Sequence, residues 1–358
     1  MKFINQIEPF IGAKEAGAAH KYLSSGGWIT EFSETEKFAQ RISKFLNVQY
    51  AVLTTSGTIG LYLALISLGL KKGDKVIVPN FTMVATINVI IWAGLEPILV
   101  DIEPQNLCAK LEDIKITSKI KALIYVPING RCGDIKKIVE FCKLHNLFFI
   151  EDAAQAFGSS WENKYLGTLS DVGVYSLSPH KIITTGQGGV IVTNNSRIFG
   201  KIKKLKDFFR TKPGVDIHEG IGFNFKFTDL QAVVGNEQMK TIKERIKKKK
   251  KIFARYQKNL KEVQFLKTDL SQTIPWFVDI ILPTREKRDS LILFLKKNGI
   301  GTRPFYPPIS DQIPYRKYAK QEFKNSKDLS YRGLWLPSSL NLTNEKIDMV
   351  CEIISKGL

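Results

Sequence analysis

Residues that build covalent staples and soft-metal sites are scarce in this 358-residue sequence, which has four cysteines and four histidines. Cys108, Cys132, Cys142 and Cys351 form no C-x-x-C pair, and the histidines are scattered. That argues against a disulfide scaffold and a zinc ribbon or finger, and predicts no metal and a reducing, cytoplasmic setting. The N-terminal MKFINQIEPFIG has no apolar core of signal-peptide length, so secretion is not indicated. Phosphate loops of the G-x-x-x-x-G-K-[ST] type and the G-x-G-x-x-G dinucleotide fingerprint are both missing. One stretch, Val76 to Leu95, runs uncharged for spanning length and needs a check against a membrane reading. It contains Pro79, Asn80, Thr82, Thr86 and Asn88, and divides into a β run, a turn and a helix, so no membrane span is expected.

Acidic residues are also few. Asp and Glu number 34 against 53 Lys and Arg, a formal charge of +19. Basic surfaces attract nucleic acid and anionic membranes without specificity. The densest block runs from Lys243 to Lys251. Ile242, Ile246, Phe253 and Tyr256 fall on one helical face around it, which places the lysines on the solvated side. No helix-turn-helix, zinc-finger or RNP-type aromatic signature accompanies the charge, and no nucleic-acid partner is expected. A basic surface equally suits phosphorylated small substrates.

What is abundant is alternation of β runs and helices. YAVLTT, KVIVP, PILVDI, KALIYVPI, LFFIEDA, VGVYSLS and GGVIVTN read as strands. Amphipathic segments such as EKFAQRISKFLNV and DIKKIVEFCKLHN separate them. Such a pattern predicts an α/β fold with a largely parallel sheet. After Lys201 the texture changes to a charged, glycine-rich loop. A single long helix is expected from DLQAVVG through IKKKKKIFARYQKNL, then a smaller α+β unit. The expected division is 1–240 and 241–358.

Four features carry chemistry. Thr55-Ser56-Gly57-Thr58 opens a helix after a β run, where free N–H groups, a positive dipole end and small residues can cradle a phosphate. An ordinary N-cap would look the same. Glu151-Asp152-Ala153-Ala154-Gln155 ends the strand LFFIE, at the strand edge where open α/β sheets bind ligands. Ser176-Leu177-Ser178-Pro179-His180-Lys181 follows another strand and precedes a glycine-rich turn. A desolvated lysine there is a candidate Schiff-base amine. Gly222-Phe223-Asn224-Phe225-Lys226-Phe227-Thr228-Asp229 precedes the helix DLQAVVG.

In this order and spacing these features resemble the pyridoxal-phosphate-dependent sugar aminotransferases of the DegT/StrS type. The resemblance runs from GGWIT through TTSGTIGLYLAL, IEDAAQAFGS and SLSPHKIITTGQGGVIVTN to GFNFKFTDLQAVVG and IGTRPFYPP. It implies a type I aminotransferase fold, with a seven-stranded, mostly parallel sheet in the large domain. It also implies a homodimer with active sites at the interface. Lys181 matches the lysine that forms the internal aldimine with pyridoxal 5'-phosphate and shuttles the proton. Asp152 matches the carboxylate that keeps the cofactor's ring nitrogen protonated. Gln155 matches the contact to the ring hydroxyl. Gly57, Thr58 and Ser176 match the phosphate cradle. Asn224 matches a residue reaching the neighbouring subunit's cofactor phosphate. The usual donor is glutamate, in a ping-pong cycle. Lysine at position 181 separates the chain from a related sugar 3-dehydratase that has histidine there; His180 precedes the lysine where relatives often have asparagine.

Departures fall on the substrate side. Met83 stands where an aromatic often covers the cofactor ring, a role its sulfur can fill on a π face, with Phe81 the lesser choice. The segment Pro127 to Asp134 is shorter than the usual loop. Asn129 and Arg131 stand near where histidine and tyrosine are expected. Pro307 and Ser310 replace histidines of many relatives, while Arg303 remains to bind a carboxylate or phosphate. The family implies a nucleotide-linked keto sugar, a 4-keto-6-deoxyhexose, as acceptor for polysaccharide biosynthesis. A small phosphorylated ketone such as dihydroxyacetone phosphate, giving serinol phosphate with Arg131 and Arg303 as clamps, is the alternative. A regulator or nucleic-acid binder on the same fold is a remote one.

Overall fold

The apolar runs read as strands lie side by side in one seven-stranded sheet of the computed structural model, which describes residues 3–358 apart from 113 and 213. The strands are β1 (Tyr50–Thr54), β2 (Lys75–Pro79), β3 (Glu96–Val100), β4 (Ile120–Tyr125) and β5 (Phe148–Asp152). A short hairpin, β6 (Ser160–Trp161) and β7 (Lys164–Tyr165), leads to β8 (Val172–Ser176) and β9 (Gly189–Thr193). The sheet order is β1-β9-β8-β5-β4-β2-β3. Pairings from β3 to β8 are parallel, and β9 runs antiparallel to both β8 and β1. Strands covered by helices on both faces need apolar residues at nearly every position, which is why KVIVP and GVIVT read as continuous runs.

Helices before position 240 are α1 (Ala13–Ser24), α2 (Ser33–Leu46), α3 (Gly57–Ser67), α4 (Val84–Trp92), α5 (Ile135–Leu144), α6 (Ser196–Lys206) and α7 (Asp229–Lys240). Their starts follow local chemistry. Ser56, Asn195 and Thr228 each accept a first-turn N–H, and Asn47 ends α2 in the left-handed region. The uncharged stretch Val76–Leu95 becomes β2, a turn and α4. Among the described residues no helix is long and apolar enough to cross a membrane.

Beyond residue 240 come α8 (Ile242–Asn259), β10 (Gln264–Phe265), β11 (Val278–Ile281), α9 (Arg285–Lys297), β12 (Arg303–Pro304), α10 (Lys324–Arg332), β13 (Gly333–Leu336) and α11 (Asn344–Gly357). The four strands form an antiparallel sheet, β10-β11-β13-β12, backed by α8, α9 and α11 through a cluster of Phe253, Leu291, Val350 and their neighbours. Ile4 from the N-terminus joins that cluster and bridges to Ile300.

Two expectations are corrected here. The long helix after Asp229 is broken at Thr241, which ends α7 and caps α8. The Thr241 hydroxyl donates to the Gln238 carbonyl and accepts from Arg245 Nε at 3.0 Å, so a side chain occupies the junction. The basic run is also not wholly solvated. Arg245 and Lys249 share the buried face of α8 with Ile242, Ile252, Phe253 and Tyr256, and Lys249 is only 3% exposed.

Candidate active site

β1, β2, β4, β5 and β8 all end at the same edge of the large sheet, and β9 begins there. This edge gathers the marked residues, as strand-end binding in open α/β sheets requires. At the end of β1, Ser56 caps α3 by accepting from Ile59 N–H at 3.2 Å. The N–H groups of Gly57 and Thr58 lie ahead of any intrahelical acceptor. Ser176, the last residue of β8, presses against this turn: a Cβ on Gly57 would stand 3.1 Å from the Ser176 Cβ. Gly189 is equally constrained, since a Cβ there would meet the Ser56 carbonyl oxygen at 2.3 Å. Backbone donors, hydroxyls and missing side chains thus converge in a small cradle suited to a phosphate.

Asp152 ends β5 and is buried. Its carboxylate accepts from the Thr86 hydroxyl at 2.7 Å and from Ala154 N–H at 3.3 Å. Thr86 is itself hydrogen-bonded to Thr82. Burial raises the Asp152 pKa, while Thr86, Ala154 and the charge of Lys181 pull it back. Such an acid needs a cation or an N–H donor from above to stay ionised.

Lys181 lies in the excursion between β8 and β9. The excursion is tied down by Leu177 N–H on the Gly188 carbonyl, Thr185 N–H on the Leu177 carbonyl and the Thr184 hydroxyl on the same carbonyl. The Lys181 nitrogen makes no hydrogen bond or ion pair to any described residue. It sits 3.4 Å from the centroid of Trp276. Burial lowers its pKa to about 7, assisted by Arg303 and Lys249 and opposed by Asp152. An amine that sheds its proton near neutrality is a nucleophile ready to use. His180 beside it has a buried Nδ1 without a partner among the described residues, and burial, Lys181 and Arg303 all lower its pKa.

Gln155 is buried, and its side-chain oxygen accepts from Asn129 N–H at 2.8 Å. Its amide nitrogen has no partner among the described residues. Met83 immediately precedes α4 and is 47% exposed, whereas Phe81 is fully buried against Phe305 and Tyr306. Only Met83 is therefore free to lie over a bound ring. Arg303 spreads over Tyr306 and Trp335, and no carboxylate among the described residues pairs with it. Asn224 is exposed, on the segment that bridges to Asp207.

Two expected substrate contacts are instead structural. Arg131 is 2% exposed and forms a bidentate ion pair with Asp279, at 2.6 Å from Nη2 and 3.1 Å from Nη1. Asn129 is buried; its side chain donates to the Phe277 carbonyl and to Asp279, and accepts from Phe277 N–H. Both side chains join the loop after β4 to β11, so neither is available to grip an acceptor. Ser310 exchanges hydrogen bonds with Asn80 at 2.8 and 3.1 Å.

Sequence reasoning missed Trp276, Tyr306 and Thr86. Trp276 supplies the face under Lys181, and its indole N–H donates to the His180 carbonyl at 2.8 Å. Tyr306 is close enough to Asp152 for that charge, after burial, to help raise its pKa to about 12. The motifs WFVDIILP and RPFYPP held the hints to the first two.

The residues present fit pyridoxal phosphate. An unpaired amine, a buried carboxylate wanting a cation and a phosphate cradle lie along one sheet edge. Comparison with known proteins agrees. The sequence model of the DegT/DnrJ/EryC1/StrS aminotransferase family matches residues 9–355. GDP-perosamine synthase of Escherichia coli O157:H7 is 35% identical over 99% of both chains. Helicobacter pylori PseC, an aminotransferase of pseudoaminic acid biosynthesis, superimposes with a TM-score of 0.92 over 99% of both chains at 23% identity, a likeness of fold. NtdA from Bacillus subtilis, solved with bound PMP, gives a TM-score of 0.89 at 27% identity, covering 97% of this chain and 82% of that one. The chain thus belongs to the DegT/DnrJ/EryC1/StrS aminotransferase family and is a pyridoxal-phosphate-dependent aminotransferase of the type I fold.

Proposed function

We propose that the protein moves an amino group from glutamate to a GDP-linked 4-keto-6-deoxyhexose, in two half-reactions of a ping-pong cycle. The observation that carries the reaction is Lys181: an amine with a pKa near 7, unpaired, against the Trp276 ring and within the field of Asp152. Bound pyridoxal phosphate supplies an electron sink for the substrate carbon. Asp152, held by Thr86, keeps a positive charge above it. Gly57, Thr58 and Ser176 would hold the phosphate, and Gln155 would offer its free amide N–H to the ring hydroxyl. Lys181, which gives up its proton readily near neutral pH, can take a proton from the substrate carbon and return it. Met83 excludes water from the outer ring face. What supports the acceptor is the 35% identity, along the whole chain, to a protein named for making GDP-perosamine.

The phosphorylated-ketone reading loses one of its two clamps, because Arg131 is spent on Asp279. It rests on Arg303 alone.

The assembly we infer is a homodimer. Trp28, Phe32 and Ile221 are 64%, 65% and 89% exposed, large apolar groups on segments adjoining Thr30, Thr228 and Asn224. Such surface calls for a partner, and Asn224 would then reach the partner's phosphate cradle.

Absorbance of the cofactor-loaded protein, before and after glutamate, tests the donor half. Mass analysis of products with GDP-4-keto-6-deoxymannose, its dTDP-linked counterpart and dihydroxyacetone phosphate tests the acceptor half. Amination of the GDP-sugar is expected. Preference for either of the others would overturn the acceptor.

A further inference from the structure

Among the described residues no carboxylate pairs with Lys249. Its nitrogen, buried inside the chain, donates to two backbone carbonyls, Trp276 at 2.7 Å and Ser338 at 2.6 Å. Burying an ammonium without an anion is expensive, and the cost shows in a pKa lowered to about 7 by desolvation. A methionine or leucine would fill the same space without that cost, so the amine is in need of an explanation.

The explanation lies at the first of these contacts. Trp276, whose carbonyl Lys249 holds, places its ring 3.4 Å from the Lys181 nitrogen and donates its indole N–H to the carbonyl of His180. Four residues before Lys249, Arg245 donates to the Ile182 carbonyl at 3.3 Å and pairs with Glu15 at 3.0 Å. The residues on either side of Lys181 are thus tethered, one by Trp276 and one by Arg245. The inward face of α8 supplies the groups behind both tethers. The groups acting on Lys181 are Asp152 from β5, Arg303 from β12 and Lys249 from α8; the neighbouring His180 feels Lys181 and Arg303 in turn.

We propose that Lys249 is a positioning residue for Lys181: it fixes the Trp276 backbone and ring against the reactive amine, and its positive charge disfavours a second ammonium beside it. This deepens the reading of Lys181 as the reactive lysine and rests on it. Lys249 touches neither cofactor nor substrate and acts through Trp276 and through space. The two lysines hold two protons together less readily than each would hold its own alone.

The test uses the full-length apoprotein. A short pulse of acetic anhydride at a series of pH values, followed by peptide mass analysis, gives the pH at which Lys181 is half-reactive. Folding of each variant is checked by thermal unfolding. In Lys249→Met the midpoint should rise by about half a pH unit or more, because a repelling charge is gone. Lys249→Arg, which keeps charge and donors, should stay near wild type. Trp276→Leu should shift the midpoint the opposite way, since the ring favours the ammonium. Lys249→Gln retains an uncharged donor and serves the same measurement if the methionine variant does not fold. A folded Lys249→Met or Lys249→Gln protein whose Lys181 midpoint equals wild type would overturn the proposal. Failure of the parent reading looks different: cofactor would not attach to Lys181 in the wild-type protein at all.

Discussion

Arg131 and Asp279 form a bidentate ion pair, buried on both sides, between the loop after β4 and the second residue of β11. Asn129 adds two further bonds to Phe277, just before that strand, and one to Asp279 within it. The pair therefore links the seven-stranded and four-stranded sheets. Removing one partner leaves an uncompensated buried charge. Arg131→Met should cost about 3–5 kcal/mol in a denaturant titration. At a temperature where the variant stays folded, KM for the acceptor should change less than twofold. A large rise in KM at unchanged stability would return Arg131 to the substrate.

Lys181→Ala should lower turnover on the order of a thousandfold, the range for loss of a positioned proton shuttle. The lysine-linked cofactor band should be absent. Spectra with and without glutamate decide it; turnover within tenfold of wild type contradicts the assignment.

Thr86→Val removes the stronger hydrogen bond on Asp152, at 2.7 Å. A bond to a charged group contributes about 1.5–3 kcal/mol. Cofactor affinity should fall at least tenfold while the unfolding midpoint moves little. Equilibrium dialysis of pyridoxal phosphate measures the first and calorimetry the second. Unchanged affinity would mean Asp152 needs no such support.

Gly57→Ala puts a methyl 3.1 Å from the Ser176 Cβ and into the phosphate cradle. Overpacking of this kind costs about 1–3 kcal/mol. The expected result is weaker binding of pyridoxal phosphate, with binding of the phosphate-free pyridoxal reduced less. Equal loss for both ligands would argue against a phosphate site at α3.

Glu151 gives a pH signature. Its carboxylate is buried and accepts from Gly167 N–H at 2.7 Å and Leu169 N–H at 2.9 Å. Desolvation nonetheless raises its pKa to about 7 from 4.5. The folded state thus holds a proton that the unfolded state has released between these values. Its contribution is full below pH 4.5 and is lost as pH rises to about 7. Glu151→Gln should flatten the fall in Tm across that window. An unchanged slope would remove Glu151 as its source.

The sequence made the site's local parts readable. Ser56 to Thr58, Asp152, Ser176 and Lys181 each stand at a strand end or helix start, where position along the chain already implies geometry. Long-range partners were not readable. Trp276 reaches His180 across 96 positions, and Asp279 claims Arg131 across 148. Nothing near Arg131 announces that its charge is already spent. Lys249 was hidden differently. In a run of five lysines the charge pattern has no period, so the helical phase could be set only by the flanking Ile242, Ile252, Phe253 and Tyr256. Thr241 broke the expected long helix because a hydroxyl can compete with the backbone wherever tertiary packing favours a bend.

Asn129 gives the pocket its mechanical character. Its backbone N–H donates to the Gln155 side chain, and its side chain holds both the N–H and the carbonyl of Phe277, just before β11. The two sheets cannot rock against one another without tearing that clamp and the ion pair beside it. The exposed side chains of Met83 and Arg303 lie outside that clamp.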